Sequence, residues 1–564
     1  MTHLQELMAE YDRETCRILK TQLRAAGDPR YGAFMNPGYH VDSRDCGFMM
    51  AHVAISYICR ESRYYLDPQA EDALKAAFVF MSDNLRPSGC VDLTNCNFDS
   101  APDTAFTANE LISAWWLLEK RMCAELKWMR EPLKRLLTTM AQGVADGGFH
   151  TPNHRWAIAA CLKSVAAIAD RPDFSKRADE YLNEGLDINE DGEFAERSAG
   201  TYNQVNDDQM LRLYFVTGER AYLEAVRSNL RMMIAYIDPD ASVFTNNSTR
   251  QDYGKKVYLD SYYILFLLAG YLLHDPQLSA MAEYCYRTAF TERRSEKAPA
   301  GVPWMLLIDG LEASAKDATL SGESIMHYNR HFPASRIARM RNGQLSMTVM
   351  EGKPNFLYIQ HGELSMYMVI HSQICADCNF LPQKIEPIEN GYRASSRVDG
   401  WYYLPFYPEK PATSDWWAMD NPNTRQRMHN VHLETAVEAV MDDEGVNIRV
   451  SAQGYTGIPL RVELGFLPCK VRHDSFVMDG AAGQSLILRG GMLEMTGENG
   501  DVLTVEGGFA EHGSLVRRDT AYLQSDRHFT VYLAAYTPVE KTFRIGTKGF
   551  DKKDLLPWES ERSV

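Results

Sequence analysis

No stretch of the sequence is long and apolar enough to span a bilayer. The longest candidate, residues 261–273, falls short of the ~20 residues a membrane helix needs and is flanked by Asp260 and His274, so it reads as a buried helix and no membrane partner is expected. The first twenty residues lack the apolar core and small-residue cleavage site of an export signal. Leu4, Leu7, Met8 and Tyr11 instead mark one side of a charged amphipathic helix, and the expected location is cytoplasmic. Basic charge is also scarce. Lys and Arg number 59 against 75 Asp and Glu, a formal net charge of −16. Nucleic acid is therefore not expected as a partner, since its binders present broad basic surfaces. An anionic ligand would need a locally basic cleft. A disulfide framework is missing too: 11 cysteines, an odd number scattered along the chain, predict reduced thiols. The one C-x-x-C, Cys375-Ala376-Asp377-Cys378, has no second pair nearby and reads as packing thiols rather than zinc ligands.

What is present is a globular balance, 45% apolar and 24% charged over 564 residues, long enough for two or three domains. The first half carries a repeat: a small residue, any residue, an apolar one, and a polar or small residue four places later. It occurs at Gly32-Ala33-Phe34, Gly89-Cys90-Val91, Gly147-Gly148-Phe149, Gly192-Glu193-Phe194 and Ser242-Val243-Phe244, at intervals of roughly 45–58 residues, the length of a helical hairpin. Helices before these loops (71–85, 131–144, 220–237) are amphipathic and predict an outer ring; those after them (156–168, 257–273) are apolar on most faces and predict an inner ring. With residues 4–23 and 45–60 as the first pair and 277–290 and 302–315 as the last, the count is about six hairpins. The expected architecture over residues 1–325 is an (α/α)6 toroid, with every loop into an inner helix at the same end.

From about His327 the pattern changes to period two, in runs such as Leu345–Val349, Met366–Ile370, Val446–Val450 and Phe529–Leu533 separated by Gly, Asn and Asp. A C-terminal antiparallel β-sandwich is expected over residues 326–548, followed by a polar tail over 549–564. The fold class is thus α+β multidomain.

The loop Thr151-Pro152-Asn153-His154-Arg155-Trp156 and the next unit, from Asp191-Gly192 to Tyr202, place an Asn-His pair and a Tyr on neighbouring loops of the ring. Together with the layout of toroid then β domain, these residues make the chain resemble the heparinase II/III-like and alginate-lyase-like polysaccharide lyases. The layout covers nearly the whole chain, and the motifs cover some thirty residues. The resemblance implies β-elimination from a 4-linked uronate, carried out by Tyr202 with His154 and Asn153, often with a histidine of the β domain. His361 is the first choice for that last role, with His371, His429 and His432 open. Some members of the family hold metal in the β domain; structural zinc or calcium are the candidates here, and no ligand set in the sequence matches either. His429 and His432 fall on opposite faces of an extended strand, which argues against a two-His site.

Elimination removes the very weakly acidic proton beside the carboxylate and expels the C4 oxygen, so the site must neutralise the carboxylate with preorganised donors. Asn153 could donate there from its amide. A tyrosine at the usual pKa of ~10 is about a thousandfold under-ionised near neutral pH, which calls for cationic neighbours; Arg155, Arg197 and Arg250 are nearest in sequence. Either His154 is the base and Tyr202 the acid, or Tyr202 does both. Arg250 also suits a carboxylate clamp, Asn95 and Asp103 hydroxyl contacts, and Trp417, beside Trp416, a sugar-stacking face. Each has a plainer reading: Asn153 as a helix N-cap, Arg250 in a surface ion pair, Asn95 and Asp103 in turns, the tryptophans as loop anchors. The expected partner is a uronate-containing oligosaccharide or polysaccharide, with glucuronate favoured. Two other functions stay open. One is an (α/α)6 glycoside hydrolase using a carboxylate pair from Asp103, Asp191, Glu196, Asp207, Asp208 and Asp252; the other is a non-catalytic glycan-binding protein.

Overall fold

A computed structural model describes residues 2–292, 294, 301–313, 323–374, 377–406, 409–419, 425–514 and 526–550. The chain divides into two compact units, Met1–Ile237 with Ala241–Ser321, and Asp238–Asp240 with Gly322–Val564.

The first unit is a toroid of helical hairpins. In order, outer then inner, they are α1 (His3–Lys20) and α2 (Ser43–Ile58), α3 (Pro68–Asn84) and α4 (Ala101–Lys120), α5 (Lys127–Asp146) and α6 (Pro152–Ala169), α7 (Pro172–Leu182) and α8 (Tyr202–Thr217), α9 (Arg220–Ile234) and α10 (Asp260–Leu273), and α11 (Pro276–Tyr286) and α12 (Val302–Leu307). The outer members bury one stripe, as α9 does with Leu223, Val226, Leu230 and Met233, while α6 buries the unbroken run Arg155–Leu162 because it is packed on both sides. The sixth inner helix is shorter than its sequence pattern: α12 ends at Leu307, and its Trp304 wedges between Trp116 of α4 and Phe215 of α8, with ring centroids 5.8 and 5.5 Å away. No described helix is long and apolar enough to cross a membrane.

The repeat has a backbone cause. Gly32, Gly89 and Gly192 all sit at a left-handed φ between +90° and +95°. A Cβ on each would lie 2.1–2.4 Å from a carbonyl oxygen of the outer helix two elements away or less: Ala76 of α3, Thr139 of α5 and Ser228 of α9. The apolar residue two places on is then turned inward, so Phe34, Val91 and Phe194 are buried, Phe34 and Phe194 in β-bridges to Gln22 and Ile188 and Val91 paired with Ser100; Phe244, two places after Ser242, is buried as well. The unit at Gly147 departs from this. Only five residues separate α5 from α6, too few for the same turn; Gly147 has φ −87°, and Phe149 stays 40% exposed, edge-on to Tyr181.

The second unit is a β-sandwich. Two nine-stranded sheets, antiparallel apart from one short parallel pair (Ser485–Ile487 with Phe529–Tyr536), enclose one hydrophobic cluster that draws Met347, Ile359, Met368 and Val462 from one sheet and Val437, Ile448, Leu503 and Phe543 from the other. The runs expected as strands are strands: Leu345–Met350, Leu364–Ile374, Gly445–Gly454 and Phe529–Tyr536. Two expectations lie outside the described residues: the fate of the Cys375/Cys378 pair and the tail beyond Phe550.

Candidate active site

Contacts between successive units, three of them hydrogen-bonded and one between rings, show that the entries to these inner helices share one rim. The Asp92 amide reaches Ser43 Oγ at the head of α2 (3.0 Å), Phe106 of α4 meets the His154 ring, the Asn153 side chain reaches Glu196, and Asp252 accepts from Ser198 Oγ (2.8 Å) and the Gly200 amide (2.9 Å) below the start of α8.

Asn153 is the second residue of α6 and fully buried; the N-cap is Thr151, so the capping alternative fails. Its Nδ2 donates to both Glu196 oxygens (2.9 Å each) and to Thr151 Oγ1 (3.2 Å), and its backbone amide adds a bond to Glu196 Oε2 (3.2 Å). The amide is therefore already engaged rather than free for a substrate, and its Oδ1 is buried without a partner among the described residues. Glu196 carries a second load: it pairs with the Arg250 guanidinium, and its own carbonyl accepts from Thr249 Oγ1 (2.8 Å). Burial pushes its carboxyl up, against the downward pull of Asn153 and Arg250. Arg250 in turn lies over the Tyr202 ring, 4.4 Å from guanidinium carbon to centroid. Tyr202 opens α8, its amide bonded to Ser198 Oγ (3.1 Å); none of the described residues bonds its hydroxyl.

His154, next to Asn153, completes this stretch of rim. Burial pushes its imidazole down to about 4, His150 and Arg250 push the same way, and Asp103 opposes them. It is neutral at neutral pH. The ring meets His150 and Phe106 edge-on, at 4.5 and 6.0 Å, and its Nδ1 is buried without a partner among the described residues.

The other expected residues are placed differently. Asp103 is buried, accepting from Ser100 Oγ (2.6 Å) and Asn97 Nδ2 (3.0 Å) with Arg44 4.0 Å away, so it holds the head of α4. Asn95 is exposed in the turn between the short strands Val91–Leu93 and Asn97–Ser100. Arg155 does not join the site: its guanidinium stacks on Trp156 (4.1 Å) and binds Glu184 (2.9 Å) and the Gly185 carbonyl (3.0 Å), because one step along a helix turns a side chain by about 100°. Arg197, at φ +47°, faces Glu193 (3.4 Å). In the second unit, His361 has Nδ1 against the Val502 carbonyl (2.9 Å), which leaves Nε2 as its acceptor; His371 is buried 3.3 Å from Glu463; His432 is exposed; and the His429 side chain lies outside the described residues. Trp417 is 91% exposed.

The carboxylates proposed for hydrolysis are mostly occupied. Asp103, Glu196 and Asp252 each accept at least two hydrogen bonds, and Asp207 is sealed in the protein, where burial holds its carboxyl far above the usual range. Among the described residues one group has metal-like spacing, His40, Asp42 and Asp45, with ligand atoms within 4.8 Å; Asn36 Nδ2 already bonds His40 (2.8 Å) and Asp45 (2.9 Å), and Asp42 caps α2. The protein itself satisfies that set. Sequence reasoning named Glu196 only as a hydrolytic acid and missed its place as the hub of the rim.

No protein-family model and no curated protein sequence matches the chain. Solved structures do. A mutant heparan sulfate lyase of Pedobacter heparinus aligns over 97% of this chain and 89% of its own at 12% identity, TM-score 0.51. A chondroitin AC lyase of Streptomyces coelicolor A3, in complex with chondroitin sulphate, aligns over 99% and 81% at 11% identity, TM-score 0.54. A Paenibacillus xanthan lyase aligns over 97% of this chain but 57% of its own at 9% identity, TM-score 0.59. The chain has the toroid-plus-sandwich fold of these polysaccharide lyases.

Proposed function

We propose that the protein is a lyase that cleaves a 4-linked uronate, with glucuronate the expected sugar, by β-elimination at the rim of the toroid. The observation that carries this reading is the linked set Asn153–Glu196–Arg250–Tyr202, which ends in a phenol hydroxyl unclaimed by any described residue, with a neutral imidazole beside Asn153. The similar structures, lyases of heparan sulfate, chondroitin and xanthan, support a uronate-containing glycan as substrate.

In this mechanism the C5–H bond breaks as its proton passes to the base, the C4–C5 double bond forms, and the C4–O bond breaks with its electrons going to the leaving oxygen, which takes a proton. Tyr202 does both transfers. A histidine whose conjugate acid has a pKa of about 4 is a poor proton carrier near neutrality but a good hydrogen-bonding group, so His154 orients the substrate. Arg250 is the cation that offsets negative charge on the phenol oxygen and on the uronate. Asn153 and Glu196 are positioning residues: the first anchors the second, and the second fixes Arg250. Cytoplasmic action on short, imported oligosaccharides is part of the proposal, and the nine described cysteines, all free thiols, are compatible with a reducing compartment.

The test is a screen of uronate oligosaccharides followed by ultraviolet absorbance. Elimination yields a conjugated, absorbing unsaturated uronate. New reducing ends without absorbance would instead identify a hydrolase, and neither signal would leave a glycan-binding protein.

A further inference from the structure

Below the rim the helices enclose a cavity of about 550 Å³, bounded by α1, α2, α4, α8, α10 and the start of α12. That is within the ~300–1,000 Å³ of small-molecule sites. It adjoins the rim: Phe106 lines it while packing edge-on against His154, and Gln204, two residues beyond Tyr202, lines it as well.

Its polar wall is acidic. Arg212 is buried and turned into the wall, donating to Asp208 (2.7 Å), Glu110 (3.0 Å), the Asn109 carbonyl (2.6 Å) and Ser113 Oγ (2.9 Å), so four of its five N–H groups are taken. Asp208 also accepts from Trp304 Nε1 (3.2 Å) and Gln209 Nε2 (2.9 Å). Glu110 keeps one oxygen, Oε2, unbonded by any described residue, with its side chain 34% accessible in the cavity. His52 donates from Nε2 to the Tyr11 carbonyl (3.0 Å), which leaves Nδ1 as an acceptor; burial keeps the ring neutral, pushed down to about 4. Three carboxylates, Glu14, Glu110 and Asp208, thus line the cavity with one committed guanidinium. Phe48, Phe106 and Trp304 supply flat apolar surface between these acceptors.

Among the described lining residues the wall offers acceptors and aromatic faces and no uncommitted cation, and Arg44, 4.4 Å over the Phe48 ring, is itself paired with Asp45 (2.8 Å); such a wall disfavours uronates and sulfates and suits a ligand with hydroxyl donors and apolar C–H faces. We propose that this cavity is a separate saccharide subsite that takes one neutral sugar unit, held through its hydroxyls by Glu110 and His52 against Phe48 and Trp304. Given the lyase reading, which the subsite itself does not require, the substrate is a chain in which a neutral end residue enters the toroid and the uronate stays at the rim, which makes cleavage exo.

The test is direct binding of glucose, galactose, rhamnose and glucuronate to the intact protein, read by saturation-transfer NMR and tryptophan fluorescence. At least one neutral sugar should bind, with glucuronate failing to compete. Glu110→Ala should weaken that binding about tenfold, the loss of one hydrogen bond to a charged group, and Tyr202→Phe should leave it unchanged. Glu110→Gln, which keeps the shape, should admit glucuronate. The proposal is overturned if no neutral sugar binds, if binding survives both Glu110 variants unaltered, or if Tyr202→Phe abolishes it, which would locate the sugar at the rim. Since no step of this assay depends on elimination, sugar binding by a protein that cleaves no uronate would leave the subsite standing and remove the lyase reading alone.

Discussion

Glu196 grips Asn153 with both carboxylate oxygens, 2.9 Å each from Nδ2, while the same carboxylate pairs with Arg250. One buried acid therefore fixes two elements of the rim that are far apart in sequence. Its removal should cost both stability and turnover. Glu196→Ala strands the buried Asn153 donors and leaves Arg250 unpaired, and we expect a loss of about 2–4 kcal/mol in a denaturant titration together with a fall in kcat. Glu196→Gln, which can still accept from Asn153, should recover most of the stability and little of the activity. Equal recovery of both would reduce Glu196 to a structural group.

Tyr202→Phe separates chemistry from folding in the opposite way. None of the described residues bonds the hydroxyl, so its deletion should change stability by less than about 0.5 kcal/mol. Turnover should drop by about 10²–10⁴-fold with KM little altered, the size of a lost proton-transfer group. Near-normal turnover in this variant would remove the elimination mechanism.

The toroid and the sandwich were legible because their signals are local. A glycine forced left-handed by a neighbouring carbonyl, followed two places later by a buried Phe or Val, recurs in the sequence as a small-x-apolar pattern. The site was only partly legible. Asn153, His154 and Tyr202 stand at helix starts that the repeat marks, but Glu196 earns its role from partners 43 and 54 residues away, a relationship no periodicity records. Arg155 misled because adjacency along a helix is not adjacency in space. The helix α8 also broke the expected pattern of apolar inner helices: Asn203, Gln204, Asn206, Asp207, Gln209 and Arg212 are all buried, and of these Gln204, Gln209 and Arg212 wall a polar cavity that no periodicity announces.

The repeat glycines supply an internal control. Gly89 has φ +95°, and a Cβ there would sit 2.2 Å from the Thr139 carbonyl, whereas Gly148, in the unit that departs from the pattern, has nothing within 4 Å and no left-handed φ. Gly89→Ala should destabilise by roughly 2–4 kcal/mol, since both backbone strain and a main-chain shift are imposed. Gly148→Ala should be neutral within about 0.5 kcal/mol. Thermal denaturation of the pair checks this, and a Gly89→Ala protein as stable as the parent would show that the repeat turn is not what locks the hairpins.

The partly buried His154 and His52 give a pH dependence with a definite sign. His154 and His52 are both held down to about 4 in the folded protein, against ~6.5 for a free imidazole. Between those values the unfolded chain takes up protons that the folded chain refuses, so stability contributed by these rings is complete above pH ~6.5 and is lost as pH falls toward 4. The melting temperature should decline across that window, and His154→Gln should flatten part of the decline. Activity should follow a different course. If His154 works as a neutral hydrogen-bonding group, kcat/KM has no acid limb from it near pH 6.5, and any such limb lies close to 4. The ring can be followed directly by NMR with labelled histidine. A His154 resonance titrating near 6.5 in the folded protein would mean that the imidazole is charged for part of the working range, and would return the role of proton carrier to it.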